Sequence, residues 1–150
     1  MIGGNVVTNR RKSGRRRGNA LIEVTLLAPW VLFLFVGMVD LGFFCYSLIA
    51  VENAVRIGAE YTAQGAATAS NQSGACTRIL NELASLPNVS TLSSCGAAPL
   101  VVTATQVTGP DSATASSVSI TYQSAQLIPI PGMLVGKLYI TRTAVMKVKP

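Results

Sequence analysis

The longest apolar stretch of the chain begins at Ala20 and is broken only by single charges. Between Glu23 and Asp40 lie 16 uncharged residues, VTLLAPWVLFLFVGMV, and eleven more, LGFFCYSLIAV, separate Asp40 from Glu52. As a helix the first run spans about 24 Å, short of the roughly 30 Å hydrocarbon core of a bilayer. A membrane span must therefore take in a flanking acid or the residues just beyond it, which places it at about 21–46. Pro29 lies inside this span. It removes one backbone donor and frees the carbonyl of Thr25, so a kink or loosened turn is expected there.

Helical patterning continues past the span, and one helix is predicted over 19–65, transmembrane first and then amphipathic. Glu52, Arg56 and Glu60 make an i, i+4 ion ladder, with Glu52 before Arg56 in the favourable order. Ala50, Ala54 and Gly58 form a row of small residues, and Ala59, Ala63 and Ala67 form another. Such rows admit close packing, either by a helix of another subunit or by the protein's own globular part.

The pattern then changes. Residues 66–74 are small and polar and read as a helix end and linker. Residues 76–86 carry Ile79, Leu80, Leu83 and Leu86 at helical spacing and stop at Pro87, which predicts a short amphipathic helix. Three segments read as strands: 101–108, rich in Val and Thr, and two that alternate with the period of a strand, 117–123 with Val118, Ile120 and Tyr122 on one face, and 138–148 with Leu138, Ile140, Ala144, Met146 and Val148 on one face and Arg142 interrupting it. The connector 127–136, LIPIPGMLVG, is apolar and contains two prolines; it is expected to cover the sheet or lie on the membrane surface. The fold class is thus α+β: a long N-terminal helix packed on a small antiparallel sheet in an extracytoplasmic α/β domain, 66–150. Three strands and a short helix enclose too little core by themselves, so the long helix should complete it.

Charge separates the ends of the chain. Arg10, Arg11, Lys12, Arg15, Arg16 and Arg17 supply half of the 12 basic residues, with no acid among them, while the whole chain has a net charge of +6. The excess is therefore a basic N-terminal arm, expected to be disordered. Directly before an apolar span, such an arm is best explained by the positive-inside tendency, with contact to anionic membrane lipids. The predicted topology is a single-pass inner (cytoplasmic) membrane protein, N-terminus in the cytoplasm and C-terminal domain outside. A nucleic-acid binder would be soluble, which a mean hydropathy of +0.45 and 12% charged residues oppose. A removed secretory signal is disfavoured too, because the apolar run exceeds the usual 7–15 residues and lacks a small-residue cleavage site after it.

Cys45 falls at the end of the span and reads as a small buried hydrophobe. Cys76 and Cys95 lie in the outside portion, where an oxidising compartment lets them pair. With no histidine and no CxxC spacing, a zinc site finds no support. Histidine-dependent nucleophilic catalysis is excluded, and the acids Glu23, Asp40, Glu52, Glu60, Glu82 and Asp111 are scattered, four of them on the long helix. No enzyme activity and no cofactor is expected.

The stretch RRRGNALIEV resembles the processing site of type IV pilin-like precursors. In that family a basic leader ends in glycine, a prepilin peptidase cuts after it on the cytoplasmic face, and the fifth residue of the mature chain is typically glutamate. The resemblance implies a leader 1–18, a cut between Gly18 and Asn19, and Glu23 as that fifth residue. Over a wider stretch, Glu23, Pro29, Asp40 with Leu41 and Gly42, and Ala54 with Arg56, Gly58 and Ala59 resemble the opening of TadE-like proteins, minor pilins or pseudopilins of the tight-adherence (Tad/Flp) system. Glu60 departs from that pattern, which usually has a basic residue there. The implied function is a membrane-inserted subunit supporting assembly of a Tad/Flp-type pilus for adhesion or secretion, with the prepilin peptidase and other pilin-like and Tad assembly subunits as partners. The alternative is an uncleaved, signal-anchored extracytoplasmic binding protein. Glu23 has two readings: a partner for the α-amine of a neighbouring subunit, fixing axial register, or a residue that reaches the cytoplasmic headgroups alone. Asp40 likewise pairs with a neighbouring partner or marks the outer membrane boundary.

Overall fold

A computed structural model of the chain describes residues 15–125 and 138–150. Residues 1–14 of the expected leader and the connector 127–136 lie outside them. Helix α1 covers Arg15–Thr62 and passes unbroken through Pro29. It starts earlier than the pattern indicated, so the end of the basic arm is helical rather than disordered. It also stops three residues short of Gly65, where Thr62 Oγ1 donates to the carbonyl of Ala59. The chain divides into compact units at 1–38 and 39–150.

In the first unit the described part is helix alone. Residues 20–35 are all exposed, among them Trp30, Leu32 and Phe35. Thr25 spends its hydroxyl on the helix itself, donating to the carbonyls of Leu21 (3.0 Å) and Ile22 (2.9 Å).

The second unit holds α1 from Val39 onward, α2 (Gln72–Glu82), a 3₁₀ turn (Leu83–Ser85), and strands β1 (Gly96–Ala97), β2 (Leu100–Thr108), β3 (Thr114–Gln123) and β4 (Tyr139–Lys147). Helix α2 begins earlier than its apolar spacing suggests because Asn71 caps it, its side chain accepting from the Gly74 N–H at 2.9 Å. The sheet is antiparallel in the order β1-β2-β3-β4. It has four strands rather than the predicted three, β1 being a two-residue strand too short to leave a periodic signal.

Register explains which face is buried. Val102 pairs with Ile120 and Ala104 with Val118; on the other side Tyr122 pairs with Ile140 and Val118 with Ala144. These residues cover one face, and α1 contributes Val51, Ala54, Val55 and Ala59 to the same core, with Ile79, Leu83, Leu86 and Val89 from the α2 region. The opposite face is a hydroxyl surface. Thr121 and Thr141 share a hydrogen bond at 3.3 Å, and Thr143 donates to Ser119 at 3.1 Å. Arg142, the residue that interrupts the β4 pattern, sits opposite Ile120 on the core side of an edge strand. From there its guanidinium reaches past the core to Glu52 on α1, at 3.3 Å.

Candidate functional site

The residues singled out from the sequence fall into three places. Gly18, Asn19, Glu23 and Pro29 all lie on the first part of α1. Gly18 is a weak helix residue, worth about 1 kcal/mol less than alanine, so the backbone at the Gly18–Asn19 bond is easy to unwind. Glu23 is exposed and stands one helical turn after Asn19, a rise of about 6 Å. Around it the helix presents Leu21, Ile22, Val24 and Leu26 outward, and Thr25 has turned its hydroxyl back on the backbone. No described side chain pairs with Glu23.

Asp40 occupies the second place. It is half-buried, and its Oδ1 is out of solvent with no hydrogen-bond partner among the described residues. A carboxylate oxygen in that state is costly unless a donor or cation reaches it. A few residues on, Phe43, Phe44 and Leu48 pack against the core of the domain. The final part of the 21–46 span therefore meets protein on one side and presents Leu41 and Tyr46 outward on the other. Hydropathy alone does not separate a lipid-facing residue from a core-facing one. Cys45, expected to be buried, is exposed.

The third place is the domain end of α1. Ala54 is fully buried, Ala50 half-buried, and Gly58 lies against α2 and β3, where a Cβ would meet Ile79 Cδ1 at 2.8 Å and Val118 Cγ1 at 3.3 Å. Of the two readings of this small row, the structure shows packing by the protein's own globular part. Ala59 and Ala63 are buried in the same way, while Ala67 is exposed beyond the helix end. The ion ladder is rearranged. Arg56 binds Glu52 at 3.2 Å, but the second cation on Glu52 is Arg142 rather than a ladder residue, and Glu60 forms no ion pair with a described residue. All three partners are substantially exposed, so each pair contributes about 0–1 kcal/mol, and of the two only Arg142–Glu52 joins β4 to α1.

Cys76 and Cys95 form a disulfide with a Cα–Cα distance of 5.8 Å. It ties α2 to the segment leading into β1. A cleft of about 420 Å³ lies beside it, lined by Ser73, Thr77, Ser93 and Ser94 among others.

One cluster was not legible in advance. Tyr122 Oη donates to Asn88 Oδ1 at 2.6 Å, and Asn88 Nδ2 donates to the Gln123 carbonyl at 2.7 Å. Burial pushes the Tyr122 phenol above its ordinary pKa, against the opposing effect of the hydrogen bonds around its oxygen. Tyr122 could be placed on the core face from alternation, but Asn88, in an irregular segment, carries no pattern that would pair the two.

These features define a class: a protein with one N-terminal apolar helix compatible with a single-pass membrane anchor, continuing into a disulfide-bonded α+β domain. The family model described as TadE-like protein matches residues 18–60, from the glycine before Asn19 to Glu60 on the domain part of α1. No curated protein and no solved structure matches the chain. The family match and the apolar helix together fit a membrane-anchored protein related to Tad pili.

Proposed function

We propose that this chain is a TadE-like pilin or pseudopilin, a structural subunit without catalytic activity that supports assembly of a Tad/Flp-type pilus. The observation that carries the reading is the TadE-like match over 18–60, which falls on the exposed apolar half of α1 and its first buried turns. In this reading the arginines hold the leader in the cytoplasm, prepilin peptidase cuts after Gly18, and the domain from about 66 onward lies outside the cytoplasmic membrane. The cut creates an α-amine on Asn19, with a reference pKa of about 7.7–8.0, so mostly protonated near neutral pH. Glu23 is one turn away on its own helix and is equally open to the amine of a parallel neighbour. Either pairing lowers the cost of a carboxylate at the membrane edge, and only the second sets register between subunits. Asp40, with its unpartnered Oδ1, is the second point at which a donor from another Tad subunit would be accommodated.

The experiment is determination of the N-terminus of the protein purified from membranes, with and without a prepilin peptidase. The expected mature chain starts at Asn19 only when the peptidase is present. An N-terminus still upstream of Gly18 with active peptidase would replace this reading with the uncleaved signal-anchored protein.

A further inference from the structure

We infer that the end of the domain bearing Leu138 and Tyr139 rests on the phospholipid interface of the bilayer that α1 spans, with these two side chains inserted at headgroup level. The inference rests on the membrane-span reading above. Within the unit 39–150 the apolar exposed face of α1 runs on past the expected span end: Leu41, Tyr46 and Ile49 are all exposed, and the first charge beyond Asp40 is Glu52. The lipid boundary therefore falls beside Tyr46–Ile49.

Several contacts place domain residues at this level. The Tyr46 hydroxyl shares a hydrogen bond with Ser85 Oγ at 3.0 Å. Asn88, three residues beyond Ser85, accepts from the hydroxyl of Tyr122. Tyr122 pairs across the sheet with Ile140, the neighbour of Tyr139, and the Ser124 N–H donates to the Leu138 carbonyl at 2.9 Å. Leu138 and Tyr139 thus stand level with the point where α1 leaves the lipid, and they are 44% and 62% exposed. A tyrosine with a wet hydroxyl and an apolar ring suits that depth.

Charge is arranged to match. Asp111 and Lys147 pair at the opposite end of the sheet, and the Lys149 N–H donates to the carbonyl of Ala63 at the far end of α1. The described residues at the end that carries Leu138 and Tyr139, Ser85–Asn88, Gln123–Ala125 and Leu138–Tyr139, hold no acid, and Lys137 precedes Leu138 in the sequence. The exposed apolar residues Leu41, Tyr46 and Ile49, which carry the apolar surface of α1 up to this level, make lipid, rather than a second protein, the occupant.

The test is nitroxide accessibility on the full chain in phosphatidylethanolamine–phosphatidylglycerol vesicles. Labels are placed one at a time at Phe33→Cys, Asp111→Cys and Tyr139→Cys in a Cys45→Ser background, with the Cys76–Cys95 bond left oxidised. The label at 139 is expected to show several-fold lower accessibility to an aqueous nickel chelate than the label at 111, together with high accessibility to oxygen, as for the label at 33. Equal nickel access at 139 and 111, with 33 protected, overturns the inference while leaving the span intact. Protection at 139 from both nickel and oxygen means that protein covers this end, which also overturns it. A label at 33 open to nickel removes the membrane reading and the inference together.

Discussion

At the residue scale, one glycine and one carboxylate show how far local context decides. Gly58 was legible as part of a small row, but what the row packs against was not: Ile79 and Val118 approach from elements 21 and 60 positions away in the chain. Gly58→Val adds volume against a fully buried Ile79, and overpacking of this kind costs about 1–3 kcal/mol. We expect denaturant unfolding of the detergent-solubilised protein to show that loss, with Ala67→Val, at an exposed position, near neutral. Asp111 is an exposed acid whose carboxyl is held below its ordinary pKa, first by the hydrogen bond from Lys147 and then by the Ala113 N–H. The fold therefore favours its ionised form. That contribution is present above the unfolded-state pKa of about 3.9 and is lost as pH falls through the lower folded value. Thermal unfolding of Asp111→Asn should thus fall below that of the parent at pH 7, and the two curves should converge below about pH 4.

At the element scale, the helices and long strands follow from periodicity, and their boundaries follow from side chains that periodicity does not weigh. Asn71 starts α2 ahead of its apolar stripe, and the two-residue β1 exists only because β2 offers it a partner. Arg142 looks like an error in the β4 pattern until the edge position of the strand gives its guanidinium a way out to Glu52. The disulfide was accessible from the expected compartment and from elimination, since a domain this small gains from a covalent tie. Its sequence separation is 19, and loop-closure entropy for such a loop corresponds to about 3 kcal/mol. Cys76→Ser with Cys95→Ser should lower unfolding stability by about that amount. Reductant should move the parent protein toward the double variant and leave the variant unchanged.

At the scale of the whole molecule, the proposed function concerns how copies meet. A carboxylate that is exposed on an apolar helix and unpaired within its own described surroundings is suited to a partner outside the chain. Glu23→Ala should therefore leave membrane insertion and domain stability unchanged while reducing recovery of the subunit with its pilus assembly. Normal assembly of Glu23→Ala in vivo would refute the register role. Insertion is the readout that separates this from simple loss of the anchor, because removing a charge makes the span more apolar, not less.

The sequence by itself determined the long apolar helix compatible with a membrane anchor, the mixed helix-and-strand order, the faces of β3 and most of β4, and the cysteine pair, because each rests on composition or on a repeat within a few residues. Only the tertiary structure decided where α1 begins to pack against the core, which of two partners the small row of α1 serves, and why Asn88, Tyr122 and Arg142 stand where they do. The physical reason is the same in each case. An apolar position is recorded in sequence as apolar, whether lipid or core covers it, and a polar residue reveals its partner only when the fold brings together segments far apart in the chain.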